Sequence, residues 1–433
     1  MKSKSLVIGL LGIMLVCAGC SNKNQNNSSI GKDVEAINQE AGESQVSDNQ
    51  SSEDANEQAS DGIEVVPGNL VDVKEAPTEN MLKRSVTNEG NLARLALAME
   101  KSQAGEEVTI AFIGGSITQG SSASTENQYV TQVTNWWEEN LGAVNCINAG
   151  VGATDSYLGV HRVDRDVLSK TPDVIFIEFA VNDTNSVFNK YTYDSLLLKC
   201  LKAENAPAVV LLMMTQEDGT SLEEVHSKLG TYYDLPVLSY RSMVYKEVAA
   251  GNITWSDISP DNIHPNDVGH TILARMITNY LEDVKEKLNS VDTTKTEITV
   301  ENFSEFAYEN ARLVNRDSED ATKVKEEGSF TESVSFQTFE NGWGTRIGGS
   351  IIFDVEARNF GLLFKKDVSG SYGKAEIYID GELFGFVDGN FSGGWGNYIE
   401  GYQVFSRKVV EKHTIEIRVP EGTSFDIISL LIS

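Results

Sequence analysis

Histidine and cysteine are scarce in this chain, with five and four among 433 residues. So few leave little material for a Cys/His metal centre and exclude a disulfide-dense scaffold. Basic residues are also short, 35 against 64 acidic ones, for a formal net charge of -29. A chain so acidic lacks the basic face that nucleic acid or anionic lipid requires. Long apolar runs are missing too: Leu6 to Val16 is the one extended stretch near the start, shorter than the ~20 residues a spanning helix needs. No His-Glu-x-x-His and no Gly-x-x-x-x-Gly-Lys occurs, so neither metal nor nucleotide is expected, and no organic cofactor is implied. What is present is ordinary for a globular chain, 40% hydrophobic and 23% charged, and the length suggests about three units.

The first unit is a leader. Lys2 and Lys4, the apolar run, and Cys17-Ala18-Gly19-Cys20 have the layout of a signal peptide over residues 1–19. Ala-Gly-Cys directly after the run resembles the lipobox of bacterial lipoproteins, with Cys17 where an aliphatic residue is usual. That resemblance implies lipidation at Cys20, an extracytoplasmic, cell-surface location, and contact with membrane only through the anchor. Residues 20–75 then read as a disordered acidic tether: ten acids from Asp33 to Glu64 face only Lys23 and Lys32, with little to bury. Cys146 and Cys200 stand in apolar contexts and are expected as buried free thiols.

From about residue 76 to 288, short apolar runs alternate with helically spaced stretches. Strands are expected at 108–113, 143–148, 173–179, 208–213 and 236–238. Helices are expected at 91–101, 128–140, 156–169, 193–203, 221–229 and 266–288. Runs that are apolar throughout suit strands buried on both faces, and the alternation predicts a parallel sheet covered by helices. In such sheets ligands bind off the carboxyl ends of the strands. Four blocks fall there. Gly114-Gly115-Ser116 follows the first strand and presents a serine. Asn148-Ala149-Gly150-Val151-Gly152-Ala153-Thr154 follows the second, with small residues that let backbone N–H groups approach a ligand. Ala180-Val181-Asn182-Asp183 follows the third, and Asn182 can offer an amide to a developing oxyanion. Asp261-Asn262-Ile263-His264-Pro265 precedes the last helix, with the acid spaced to orient the imidazole. Together these supply a nucleophile, oxyanion donors and an acid-oriented base, which is the equipment for acyl transfer. His161-Arg162 is expected on the surface or rim, His270 as structural, and Trp136-Trp137 as one packed and one half-exposed ring.

In order and spacing the blocks resemble the SGNH (GDSL-type) hydrolase family, over about residues 105 to 288. The resemblance implies a flavodoxin-like three-layer αβα sheet with Ser116 as nucleophile, His264 as general base and acid, and Asp261 as its orienting partner. It also implies an oxyanion hole from Asn182, the Ser116 N–H and the N–H of Gly152 or Ala153. Three departures stand out: Gly115 replaces the acid usual before the serine, Ala153 replaces a glycine donor, and Ala180 replaces a glycine. The blocks are similar to the carbohydrate-esterase side of the family, which implies removal of acetyl or other small acyl groups from an acylated polysaccharide or small ester. A lipase or lysophospholipase on the same scaffold, and a non-catalytic glycan-binding lipoprotein, are the alternatives.

After a polar linker at 289–296 the pattern becomes short alternating runs with Gly, Asn and Asp turns, predicting an antiparallel sandwich over 297–433. This part resembles jelly-roll, galactose-binding-like modules. Asp380-Gly381 marks a hairpin. Trp343 and Trp395, each between glycines, are candidates for glycan contact on loops, the competing reading being that they cover the core.

Overall fold

The computed structural model describes residues 63–304, 308–320 and 322–433. The leader, Cys20 and most of the tether lie outside the described residues. The tether's expected end at residue 75 is too late. Val71 N–H already donates to Asn252 O (3.0 Å), Val71 and Val73 pack on the core, and Ala76 is fully buried.

Six strands form the first sheet: β1 (Val86–Asn88), β2 (Val108–Gly114), β3 (Val144–Gly150), β4 (Val174–Glu178), β5 (Ala208–Met213) and β6 (Val237–Ser239). Their order is β1-β6-β5-β4-β2-β3, parallel except for β1, which pairs antiparallel with β6. The three-residue β1 and the helix Glu79–Ser85 before it carry no apolar run long enough to announce them. β4 and β5 are buried throughout, as continuous apolar runs require. β3 departs from that expectation: it is the edge strand, and three of its residues, Cys146 among them, are exposed. Cys200 is buried, and neither thiol is bridged.

Helices cover both faces. Tyr129–Asn140 and Asp267–Lys287 pack over one, and Ser156–Asp166, Val187–Leu201 and Glu223–Tyr232 over the other. Val187–Leu201 begins six residues before the expected start at Tyr193. Ser186 caps it, its hydroxyl accepting from Asn189 N–H, and the polar first turn hides this from an apolar periodicity. Trp137 is buried, with its indole N–H on Ser102 Oγ (3.1 Å), and Trp136 is half-buried.

The remainder is antiparallel: β7 (Arg312–Val314), β8 (Lys323–Glu326), β9 (Glu332–Phe336), β10 (Phe339–Thr345), β11 (Gly349–Lys366), β12 (Lys374–Ile379), β13 (Glu382–Asp388), β14 (Tyr398–Val419) and β15 (Phe425–Ile432). It forms an all-β sandwich whose main path is β13-β12-β14-β11-β15-β10-β9. β11 and β14 are longer than the short runs expected of this region, and pair along almost their whole length. Asp380 and Gly381 both have positive φ (51° and 88°) in the β12–β13 hairpin, as the Asp-Gly signal demands. Trp343 is not on a loop. It lies on β10, 2% exposed, edge-on to Phe353 in the sandwich core, so the covering role holds and the glycan-contact expectation for it fails. Trp395 is 62% exposed, beside Phe391 and Tyr398. One helical-side core is continuous with the sandwich through Tyr308, Phe339, Leu363, Ile399 and Leu431.

Candidate active site

The chain passes from β2 to β3 on one side, then crosses to β4 on the other. The carboxyl ends of β2, β3 and β4 therefore surround the point where strand order reverses, which opens a crevice. Ser116 follows β2 and starts the short helix Ser116–Gln119. Its Oγ lies 2.8 Å from His264 Nε2, and His264 Nδ1 lies 2.8 Å from Asp261 Oδ2. With Nδ1–H donating to the carboxylate, Nε2 is left to accept the serine proton.

The loop that carries the pair is braced from several sides. Asp261 Oδ1 accepts the N–H groups of Ile263 (2.8 Å) and His264 (2.7 Å). Ser259 Oγ is within 2.7 Å of the carbonyls of both Asp261 and His264, and Trp255 Nε1 donates to Asp261 O (2.7 Å). Asn266 then caps the long helix by accepting from Val268 and Gly269 N–H. Burial alone would raise the Asp261 carboxyl, but the His264 and Ile263 N–H groups and the imidazole outweigh it and hold it below the usual carboxylate range. Its ionised form is thus favoured by the fold, and the brace persists from neutral pH until acid takes the group through that lowered value, below the ordinary aspartate range.

Asn182 comes from the turn after β4. Its amide sits against Gly115: a Cβ added there would stand 2.5 Å from Asn182 Oδ1 and 3.0 Å from Nδ2. Glycine in place of the acid usual before the serine leaves room for the amide in this position. The Gly152–Ala153 loop also borders the serine, with Ser116 Cβ 3.8 Å from where a Gly152 side chain would begin. Asn148 ties this loop to the serine turn, donating to Thr118 O (3.0 Å) and accepting from Gly150 N–H (2.9 Å), while Val151 N–H reaches Gly114 O (3.1 Å). Ala153 has φ 59°, so it keeps the left-handed backbone that glycine would adopt. Such a conformation costs an L-residue about 1–2 kcal/mol and is far worse for a β-branched one. Ala153→Gly is therefore expected to retain full turnover. Ala153→Val is expected to lower kcat about tenfold or more by moving the loop. Steady-state kinetics on a small acetyl ester check both.

Two residues with a part in this geometry escape sequence reasoning. Arg162, expected on the surface or rim, is fully buried. Its guanidinium donates to Gly114 O (3.0 Å) and Ala149 O (2.6 Å), holding the ends of β2 and β3 together beneath the site. Glu178, fully buried at the end of β4, accepts from Thr118 Oγ1 (3.1 Å), and burial pushes its carboxyl up to about 7. His161 is likewise buried, against the sandwich. His270 is structural, accepting Tyr129 N–H (3.2 Å) at Nδ1, and burial lowers it to about 4.

A cavity of about 280 Å³ adjoins the site, lined by Ala153, Asp155, Leu158, Asn182 and, from the sandwich, Glu400 and Gly401. It carries two acids.

The profile of the GDSL-like lipase/acylhydrolase family matches residues 112–272, which contain all four blocks. No curated protein matches the chain. Among solved structures, it is similar to a two-domain esterase (CEX) active on acetylated mannans. Identity is 32% and the TM-score 0.74, over 81% of this chain and 98% of that one. The same esterase co-crystallised with mannopentaose matches at 31% identity and TM-score 0.74, over 81% and 97%.

Proposed function

The chain belongs to the SGNH (GDSL-type) hydrolase family and is a carboxylic ester hydrolase, and we propose that it is a serine esterase that removes acetyl groups from a polysaccharide. The observation that carries the mechanism is the continuous chain from Ser116 Oγ through His264 to Asp261, with Asn182 held beside the serine. In this reading Ser116 Oγ attacks the acetyl carbonyl carbon while His264 Nε2 takes its proton. Asp261 stays ionised and stabilises the imidazolium. The oxyanion is met by the Asn182 amide and the N–H groups of Ser116 and of Gly152 or Ala153. His264 returns the proton to the departing sugar oxygen. It then deprotonates a water that attacks the acetyl-serine, and passes that proton to Ser116 Oγ as the acyl–oxygen bond breaks and acetate is released.

The substrate class is supported by the likeness to an esterase active on acetylated mannans and by the acid-lined cavity of about 280 Å³, which suits a small neutral acyl group. Trp395, exposed beside Phe391 and Tyr398, is a fitting partner for a sugar ring. Acetate release from a panel of acetylated glycans tests this, with a chain-length series of esters alongside. Turnover rising toward long acyl chains would replace it with a lipase reading, and binding without turnover with a glycan-binding one.

The leader motif supports a surface protein held by lipid on Cys20. Cys20→Ser is expected to abolish labelling by a fatty-acid analogue in cells and to release the protein from the membrane fraction. Unchanged membrane retention and labelling would refute the anchor.

A further inference from the structure

The helix that follows the oxyanion loop has its first turn against the sandwich. Tyr157, its second residue, is 1% exposed, and the tip of its ring enters a notch made by two glycines on paired strands, Gly361 of β11 and Gly401 of β14. A Cβ added at Gly361 would stand 2.1 Å from Tyr157 Oη. One at Gly401 would stand 3.4 Å from both Tyr157 Cδ1 and Leu431 Cδ1, so a larger side chain there has little room beside the ring. Phe188 and Tyr308 close the sides, with ring centroids 4.9 and 6.0 Å away, and Tyr308 in turn accepts from Gln403, two residues past Gly401.

From this notch the chain runs straight back to the reacting groups. Ser156 N–H donates to Asp183 Oδ1 (2.8 Å), and Asp183 directly follows Asn182. Asp155 caps the helix at Leu158 N–H, and Thr154 Oγ1 donates to Val151 O (2.7 Å), which sets the turn that holds Gly152 and Ala153. The start of this helix thus fixes both oxyanion elements, the loop by covalent connection and Asn182 through Asp183.

We propose that the sandwich is a positioning part of the esterase. Tyr157, seated between Gly361 and Gly401, holds the helix start and with it the oxyanion groups at their working distance from Ser116. The inference rests on the oxyanion roles proposed above, and makes Tyr157 a positioning residue. Its consequence is that the sandwich assists turnover even of substrates too small to reach it.

The test uses the full chain and a small aryl acetate. Tyr157→Ala is expected to lower kcat about ten- to hundredfold with KM almost unchanged, since a displacement near 1 Å suffices for such a loss. Affinity for a small alkylboronic acid, whose serine adduct is tetrahedral, falls by the same factor. Gly401→Leu is expected to do the same by filling the notch, and the Tyr157→Ala/Gly401→Leu pair to recover most of the loss. If Tyr157→Ala fails to fold, Tyr157→Leu is read in the same way. Wild-type kcat in both single variants, while Asn182→Ala is impaired, overturns the proposal, as does a loss confined to KM on polysaccharide. Full turnover in Asn182→Ala strikes the oxyanion assignment and the positioning role with it.

Discussion

Ser116→Ala is expected to lower kcat on a small acetyl ester by about 10⁴-fold or more. The melting temperature should hardly move, because the lost Oγ makes one half-buried hydrogen bond, to His264, and fills no core space. His264→Ala is expected to cost a similar factor. The double variant should lose little more, since a nucleophile without its base and a base without its nucleophile are equally idle. Residual activity of about 10³-fold over water would come from the oxyanion donors and binding alone. Turnover within tenfold of the parent in Ser116→Ala would end the assignment of this serine as nucleophile.

The second large effect is at Asn182. Asn182→Ala is expected to reduce kcat about 10²- to 10³-fold, some 3–4 kcal/mol of transition-state stabilisation. KM should move little, because the amide meets charge that exists only after attack. The same geometry makes an unusual forecast for its neighbour. Gly115→Asp restores the acid common in the family, yet its Cβ would stand 2.5 Å from Asn182 Oδ1. It should therefore behave like loss of Asn182. Pre-steady-state acylation measured on the three proteins separates this from a defect in deacylation. An unimpaired Gly115→Asp would show that the amide has another resting place.

Much of this site could be read in the sequence because its blocks sit at the ends of runs that are apolar throughout. Such runs as Val174–Ile177 and Ala208–Met213 are buried on both faces, so their ends are unmistakable. The failures share a different cause. Arg162 binds backbone carbonyls, which no sequence displays, and His161 is covered by a domain that packs on it through Tyr308, 147 residues further along the chain. The glycines beside Trp343 read as a loop, yet a Cβ on Gly342 would strike the backbone of Ile427 and Ile428. They are there for close strand packing. β3 reads as a central strand because its composition is apolar in part, but edge position follows from topology, which single-strand composition does not carry.

The place of β15 has a consequence for how the molecule is made. It is the last strand in chain order, but it lies between β11 and β10 and also pairs with β7. A ribosome therefore delivers β10 and β11 with their shared partner still missing. The parallel sheet, complete by Ser239 and sealed by the helix ending at Lys287, can fold while the sandwich waits as an open set of unpaired edges. Such edges are where strand proteins aggregate, and long-range pairings of this kind form slowly. Assembly of the second body, and the fit of its two long strands against the first, thus waits until Phe425–Ile432 has emerged rather than proceeding by gradual accretion.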